Sequence, residues 1–312
     1  MINFKPARTE DSPLILGLAG PSRSGKTYSA LRIALGMVDD VSEIFFGDTE
    51  NGRASQYVPR FGQFMVHNMK PPYSYARYLE VIREARKQGA KVFIADSLSH
   101  AHEGKGGMLD QHEAEMQRMA GDNMVKRDKV NYTAWIKPKK ELNEFILEIM
   151  QLNMPMIFCF RAQQKMKMVK GKGGKTEMVD AGLIPICSER LSFEMSSLLM
   201  LPENARGVPD LGEYANGLRE PFDQFIKKGV VLDETLGKTL KNWMSEMAAS
   251  SEPEAVKQAP SDLLDRVKAE AAKGVDHLTE YYSTRLDADE REQLKPHRRE
   301  LHEIAKKADA NG

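Results

Sequence analysis

The segment GPSRSGKT at residues 20–27 constrains the fold of this chain more than any other part of the sequence. It matches the pattern G-x-x-x-x-G-K-[ST] at every specified position. An apolar run at residues 14–19 comes directly before it, and apolar residues at positions 30, 31, 34, 35 and 38 mark one face of a helix after it. An accidental glycine-rich turn would not need a strand before it and a helix after it. The segment therefore predicts a phosphate-binding loop.

Each position of this loop has a chemical reason. Gly20 and Gly25 permit backbone angles with which successive N–H groups surround phosphate oxygens. The positive end of the following helix adds to this attraction. Lys26 is expected to reach the β- and γ-phosphates of ATP, and the Thr27 hydroxyl to bind Mg²⁺. The predicted nucleotide-binding residues are Gly20, Pro21, Ser22, Arg23, Ser24, Gly25, Lys26 and Thr27.

Short β-type runs alternate with helical patterns in the first 250 residues, which predicts an α/β fold with a mostly parallel sheet flanked by helices. The predicted strands are residues 14–19, 43–48, 63–67, 91–96 and 155–161. Residues 98–135 read as a long polar insertion with one helix near 109–119. A lysine- and glycine-rich hairpin or loop is expected at 161–177, and a further strand at 193–201.

Composition also predicts where the chain divides. Residues 1–247 are expected to form the core, and the small, polar, proline-punctuated segment 248–260 has the composition of a linker. Residues 261–312 are expected to form a small helical appendage. There, Asp287 and Glu290 have the spacing of a capping box, and Pro296 should interrupt the last helix.

Two acidic residues follow predicted strands. Asp96 ends the run KVFIAD, and we expect this strand to lie beside the first one, so that the carboxylate holds Mg²⁺ or its water next to the loop. Helix capping is the alternative for an Asp-Ser pair in this place. Glu50 follows the run EIFFGD and is the candidate base that polarises the attacking water, with a solvated acidic loop as its alternative. Asp48 is expected either to support the metal or to cap the turn at 51–52.

The strand at 155–161 brings two more polar candidates, Arg161 and Gln163, to the same edge of the sheet. Either side chain is suited to sense the γ-phosphate and relay its presence into the loop that follows. Arg161 serving a neighbouring subunit or a structural ion pair is the alternative. His100 and His102 follow the Asp96 strand without metal-ligand spacing and are expected on the polar surface.

The charge balance limits the partners that the sequence predicts. Lys and Arg total 45, and so do Asp and Glu, so that any anion-binding surface must be local. Two clusters fit contact with single-stranded DNA, in which lysines follow the phosphates and aromatic rings stack on bases. Their candidate residues are Lys165, Lys167, Lys170, Lys172 and Lys175, and Tyr132 and Trp135. Solvated lysines and a tryptophan packed on the core are the alternatives.

Cysteine usage and the start of the chain bear on its cellular setting. Two cysteines, Cys159 and Cys187, are too few for a disulfide framework and indicate a reducing compartment. The apolar run at 14–19 is too short to cross a bilayer, and no signal layout precedes it. We expect a cytoplasmic protein with no membrane contact.

Four segments in this order, GPSRSGKT, DTENGRA, VFIADS and MIFCFRAQ, resemble the RecA-like core. In particular, residues 12–247 resemble the phage AAA-domain nucleotide-binding proteins of the single-strand-annealing recombination (Sak) type. The resemblance implies that Lys26 and Thr27 bind ATP and magnesium, that Asp96 is the Walker B carboxylate, and that Glu50 is the catalytic glutamate. It implies Gln163 or Arg161 as the sensor. It further implies a bacteriophage ATPase that acts on single-stranded DNA in the host cytoplasm, beside an annealing or single-strand binding protein.

Two other functions fit the same loop. A P-loop kinase would transfer phosphate to a small molecule, but that class uses lid arginines where residues 161–177 supply lysines. A nucleotide-dependent assembly switch would turn over little ATP. Because ATP often lies between subunits in this fold, a homo-oligomer is expected by analogy.

Overall fold

The computed structural model describes residues 14–170, 176–212, 222–250 and 261–311. The chain divides into two compact units, Met1–Met247 and Ala248–Gly312. No helix in the described part of the chain combines the length and the apolar character needed to span a membrane.

A seven-stranded sheet forms the centre of the first unit, with the strand order β3-β2-β4-β5-β1-β7 and β6 paired to β5. The strands are β1 (Ile15–Gly20), β2 (Ile44–Asp48), β3 (Met65–Asn68), β4 (Val92–Asp96), β5 (Met156–Lys170), β6 (Thr176–Pro185) and β7 (Ser197–Met200). All pairs except β5–β6 are parallel. Every residue of β1 and β4 is buried, as expected for strands covered on both faces. The predicted mostly parallel α/β sheet is confirmed.

The neighbour of β1 differs from the prediction. We expected the Asp96 strand beside β1, but β5 lies between them, since Met156 pairs with Ile15 on one side and with Phe93 on the other. The runs at residues 92–95 of β4 and 156–160 of β5 are both uninterrupted and apolar, so their residues carry no information about which of the two strands pairs directly with β1.

Helices cover both faces of the sheet. In chain order they are α1 (Lys26–Met37), α2 (Val58–Phe61), α3 (Tyr75–Lys87), α4 (His100–Glu103), α5 (Met108–Ala120), α6 (Met124–Ala134), α7 (Ile136–Gln151), α8 (Glu189–Glu194) and α9 (Glu234–Ser250). Alternate residues of β1 enter two separate apolar clusters. One cluster contains side chains of α3 and α7, and the other contains side chains of α1 and α9.

The insertion after β4 is more ordered than its composition indicated. The predicted helix near 109–119 is confirmed as α5, but α4 and α6 were not predicted. The Asn123 side chain caps α6 by accepting a hydrogen bond from the Lys126 amide. Arg127 reaches from α6 to the Gln117 side chain of α5 at 3.0 Å. Polar contacts between helices hold α6 in place, and such contacts leave no apolar period in the sequence.

The segment after Arg161 is a continuation of the sheet. β5 runs on to Lys170 and returns as the antiparallel strand β6, which we call the hairpin. The strand predicted at 193–201 is wrong in its first half: α8 ends at Glu194, and β7 begins at Ser197.

The second unit contains α10 (Ser261–Ala271), α11 (Val275–Thr284), α12 (Ala288–Gln293) and α13 (Arg298–Asn311) around its own apolar cluster. The capping box is confirmed: the Glu290 amide donates to Asp287 at 2.8 Å, and the Asp287 amide donates to Glu290 at 3.1 Å. A 3₁₀ turn at Lys295–His297 interrupts the helix at Pro296. Of the predicted linker 248–260, residues 248–250 belong to α9, and 251–260 lie outside the described residues.

Two glycines allow α1 and α9 to pack closely. A Cβ on Gly237 would lie 2.0 Å from the Ile33 carbonyl oxygen, and one on Gly36 would lie 2.1 Å from the Glu234 carbonyl oxygen. Because the atoms met are backbone atoms, a larger residue would have to separate the helices.

We expect Gly237→Ala to lower the free energy of unfolding by about 1–3 kcal/mol, because overpacking outweighs the gain of about 1 kcal/mol in helix propensity. Denaturant unfolding measures this difference. The neighbouring exposed position provides the control Lys238→Ala, which should unfold like the wild type. A Gly237→Ala protein as stable as the wild type would contradict this helix contact.

Candidate functional site

A cleft of about 730 Å³ opens where the parallel strands end. Its lining includes Lys26 and Thr27 after β1, Glu50 after β2, Asp96 at the end of β4 and Arg161 in β5. These residues are far apart in the chain, and they meet because parallel strands present their carboxyl ends at one edge of the sheet.

The loop at residues 20–27 is shaped to leave its amides open. A Cβ on Gly20 would lie 2.3 Å from the Leu201 carbonyl oxygen, so this position has no room for a side chain. Gly25 adopts a φ of 94° immediately before α1 and offers no side-chain cap. The first turn of α1 also carries no acidic residue. The helix therefore presents uncapped N–H groups and its positive end to an anion.

The Lys26 side chain lies across the same loop. Its Nζ donates hydrogen bonds to the carbonyl oxygens of Gly20 at 2.9 Å and Pro21 at 2.7 Å. Burial lowers the pKa of the Lys26 ammonium, while the neighbouring Cys159 and Asp96 groups act in the opposite direction. The ammonium is thus placed beside the turn where phosphate oxygens would bind.

Thr27 and Asp96 form the contact between the loop and β4. The Thr27 hydroxyl donates a hydrogen bond to Oδ2 of Asp96, whose residue is only 7% exposed. Burial raises the pKa of the Asp96 carboxyl, and the bond from Thr27 and the charge of Lys26 oppose this shift. The carboxylate is therefore directed at the Thr27 side chain where the loop enters α1, and the N-cap position of α4, the helix that follows β4, is Ser99 and not Asp96.

These two oxygens fit magnesium. Mg²⁺ prefers hard oxygen ligands and is held by one or two protein groups together with waters and phosphate oxygens. The Thr27 hydroxyl and the Asp96 carboxylate converge as such a pair. Across the residues that the structure describes, no group of three or more His, Cys, Asp or Glu side chains is placed to hold a metal ion.

Two acidic residues near the end of β2 have different surroundings. The buried Asp48 accepts hydrogen bonds from the amides of Glu50 at 2.6 Å and Ala54 at 2.9 Å. Of the two uses expected for Asp48, the structure therefore has it capping the turn. Glu50, in contrast, faces the cleft, where its Oε1 lies 2.6 Å from Nη2 of Arg161.

Arg161 reaches this position through the strand register, in which it pairs with Gly20 of the loop. Its Nε also donates to Glu50 at 3.2 Å. Gln163, the other sensor candidate, belongs to the hairpin, where it pairs with Ile184. Arg161 lines the cleft and Gln163 is not among its lining residues.

Several buried polar residues around the cleft had not been singled out from the sequence. Thr49 accepts a hydrogen bond from the Ser97 amide at 2.8 Å. Ser99 donates to the Ile186 carbonyl at 2.7 Å and accepts from the Arg161 amide at 2.9 Å. The signal that identifies them is their position directly after a buried strand. His100, expected on the polar surface, is half-buried behind Thr49.

The DNA candidates fall into three groups. Tyr132 is 83% exposed with the Lys139 ammonium 5.7 Å from its ring centre, whereas Trp135 is partly buried and stacks on His112 at 4.0 Å. The ring of Trp135 is therefore already covered on one face. Lys165 is exposed on the hairpin. Lys172, Lys175 and the side chains of Lys167 and Lys170 lie outside the described residues.

Known proteins provide a family match and a similar solved structure for this chain. A family model described as an AAA domain matches residues 12–195. Among solved structures, the chain is similar to a KaiC-like protein of the hyperthermophilic archaeon Pyrococcus horikoshii, at 12% identity and a TM-score of 0.27, over 56% of this chain and 89% of that chain. No sequence among the curated proteins matches it.

We expect Lys26→Ala to weaken the binding of Mg-ATP by about 30-fold or more, because removing one charged partner of a desolvated contact costs about 2–5 kcal/mol. Isothermal titration of Mg-ATP measures the loss, and circular dichroism verifies that the variant is folded. The matched control is Lys87→Ala, which removes an exposed lysine at the end of α3. Equal affinities of the Lys26 and Lys87 variants would exclude Lys26 from the binding site.

Proposed function

The chain belongs to the AAA domain family, and from this premise we propose that it binds ATP with Mg²⁺ and hydrolyses it in the cleft at residues 20–27. A P-loop NTPase family implies nucleotide binding, and the proposal adds hydrolysis. The observation that carries it is the meeting of Lys26, Thr27, Asp96 and Glu50 around one cleft. This set contains a cation suited to phosphate, two oxygens suited to a metal ion, and a carboxylate that faces the cleft beside Arg161 and Arg53.

Each residue has a distinct part in the proposed reaction. The loop amides and Lys26 bind the phosphates, and Thr27 and Asp96 hold Mg²⁺, which when bound neutralises charge on the phosphate oxygens. Glu50 accepts a hydrogen bond from the attacking water and orients it. Positioning and charge stabilisation supply most of the rate enhancement in phosphoryl transfer.

Arg161 is proposed as the group that responds to the γ-phosphate. Its side chain is 44% exposed and that of Glu50 is 21% exposed. Ion pairs with this much exposure contribute only about 0–1 kcal/mol. Exchanging the Glu50 carboxylate for a phosphate oxygen therefore costs little, and the exchange would release Glu50 for the water. Because Arg161 lies in the strand that becomes the hairpin, the same exchange would act at the base of the hairpin.

We further propose that the substrate on which this ATPase acts is single-stranded DNA. The exposed Lys165 on the hairpin and the exposed Tyr132 beside Lys139 support this, because lysines and accessible rings are the features that bind single strands without sequence preference. The resemblance of residues 12–247 to phage recombination proteins supports a role in recombination, with a homo-oligomer and an annealing or single-strand binding protein as partners.

Replacing the proposed base tests hydrolysis directly. Glu50→Gln should lower kcat by about 10²–10⁴-fold, the usual contribution of a general base, with the affinity for Mg-ATP little changed. Phosphate release measures kcat, and titration measures affinity. The control Glu84→Gln removes an exposed acid from α3 and should leave both values unchanged.

Three results would argue against this proposal, and two of them would indicate another function. Undiminished hydrolysis by Glu50→Gln would remove Glu50 from catalysis. Transfer of phosphate to a small acceptor but not to water would indicate a kinase. Nucleotide-dependent assembly without hydrolysis, seen by mass measurement, would indicate a switch.

The DNA proposal has its own test. Lys165→Ala should reduce the salt dependence of binding to labelled single-stranded DNA, by about 0.7 in the slope of log K against log salt concentration. Tyr132→Ala should weaken binding by roughly 1–3 kcal/mol, the value of one base stack. Fluorescence anisotropy at several salt concentrations measures both quantities.

Lys87→Ala again provides the control. It removes one positive charge at a position that is distant in the sequence from both Lys165 and Tyr132. Wild-type affinity and salt slope in both the Lys165 and Tyr132 variants would contradict the proposed DNA surface. An ATPase rate that no single-stranded DNA changes would count against DNA as the substrate.

A further inference from the structure

We infer that Thr49 and His100 are positioning residues that hold Glu50 in place relative to Asp96. The inference rests on the hydrolysis proposed above, in which Glu50 is the base. Neither side chain belongs to the phosphate-binding loop at residues 20–27. Its basis is a chain of hydrogen bonds behind the cleft.

Thr49 joins the ends of β2 and β4. Its amide donates to the Asp96 carbonyl at 2.9 Å, and its hydroxyl accepts from the Ser97 amide at 2.8 Å. Thr49 thus binds both the carbonyl and the amide group of the peptide bond between Asp96 and Ser97. It is only 4% exposed, and Glu50 is the next residue in the chain. A shift of Thr49 would therefore move Glu50 relative to Asp96.

His100 secures the Thr49 side chain. Its Nδ1 lies 2.7 Å from the Thr49 hydroxyl oxygen. The imidazole also stacks on the ring of Tyr73, with 5.1 Å between ring centres and 25° between planes. Since α4 begins at His100, both the backbone and the ring of this residue are held. The imidazole is consequently a fixed partner for the hydroxyl.

The distances to two acceptors favour one direction for this contact. The Ser97 carbonyl accepts hydrogen bonds from the Tyr78 hydroxyl at 2.7 Å and, at the longer distance of 3.3 Å, from the Thr49 hydroxyl. The nearer acceptor for the Thr49 hydrogen is Nδ1 of His100. Burial and the charge of Arg161 lower the pKa of His100, which favours the neutral ring, the form in which Nδ1 can accept.

Small displacements at this place have large effects on rate. A misplacement of about 1 Å in a reacting group can cost 10²-fold. The Glu50 amide is held by Asp48 at 2.6 Å, which fixes the turn. The pairing of β2 with β4 ends at Asp48 and Asp96, so Thr49 makes the contacts to β4 that come next before Glu50. We therefore expect the pair to affect kcat and not the binding of ATP, whose contacts come from the loop.

The kinetic test compares variants at both positions. His100→Ala and Thr49→Val should each lower kcat by about 10- to 100-fold, with KM and the Kd of Mg-ATP little changed. His100→Asn supplies an amide oxygen near the position of Nδ1 and should recover most of kcat, as should Thr49→Ser, which keeps the hydroxyl. The double variant should be no slower than the slower single variant, because both remove one contact.

The matched control is His102→Ala. His102 lies on the same short helix and is also half-buried, and its Nδ1 has no hydrogen-bond partner among the described residues. This variant should keep the wild-type kcat. A loss equal to that of His100→Ala would show that any histidine removed from α4 disturbs the site, and the inference would be wrong.

A spectroscopic measurement on the nucleotide-free protein does not depend on activity. With ¹⁵N-labelled histidine, NMR should find the hydrogen of His100 on Nε2, and Thr49→Val should change that signal; His100→Asn identifies it by its disappearance. A charged ring, or a hydrogen on Nδ1, would overturn the proposed hydrogen-bond direction.

The outcomes separate this inference from the proposed function. If the wild type does not hydrolyse ATP, or if Glu50→Gln is fully active, the proposed function fails and the positioning role fails with it. If Glu50→Gln is inactive while His100→Ala keeps its kcat, only the inference fails. It also fails if kcat and nucleotide affinity fall together, or if His100→Asn and Thr49→Ser recover nothing. Should His100→Ala not fold, His100→Asn and the Thr49 pair decide the question.

Discussion

The hydrogen bond between Thr27 and Asp96 is the contact on which the geometry of the cleft depends. It joins the start of α1 to the end of β4 across the intervening strand β5. The bond can form only because β1, β5 and β4 run parallel and end at the same edge of the sheet. The two oxygens it brings together are of the kind that suits magnesium, and the same contact orients the carboxylate towards the end of the loop.

Charge is distributed in the cleft so that each buried group has a compensating neighbour. Burial disfavours the charged forms of both Lys26 and Asp96, and each lies in the field of the other. The more exposed pair, Glu50 and Arg161, gains little from its ion pair and can exchange partners cheaply. The buried pair is therefore held in place, and the more exposed pair is free to exchange partners.

The short segment after β4 connects these two pairs. Ser97 bonds through its amide to Thr49, the neighbour of Glu50, while Ser99 bonds to the amide of Arg161 and to the carbonyl of Ile186 after β6. The segment after Asp96 thus contacts the residue before Glu50 on one side and the start of the hairpin on the other. A displacement of Asp96 would therefore move both Thr49 and the backbone of Arg161. These contacts form a physical connection between the cleft and the hairpin.

The amino-acid sequence by itself determined the loop, the class of fold and the positions of the strands that form the parallel core, because these are local properties, but it did not predict the extension of β5 to Lys170. The spacing in GPSRSGKT requires a tight turn before a helix, and uninterrupted apolar runs require burial on both faces. Only the tertiary structure decided that β5 lies between β1 and β4, that Arg161 and not Gln163 lines the cleft, and that Asp48 caps a turn. The physical reason is that equally apolar strands pair by way of their connections, and the partners of a polar side chain come from strands distant in the sequence.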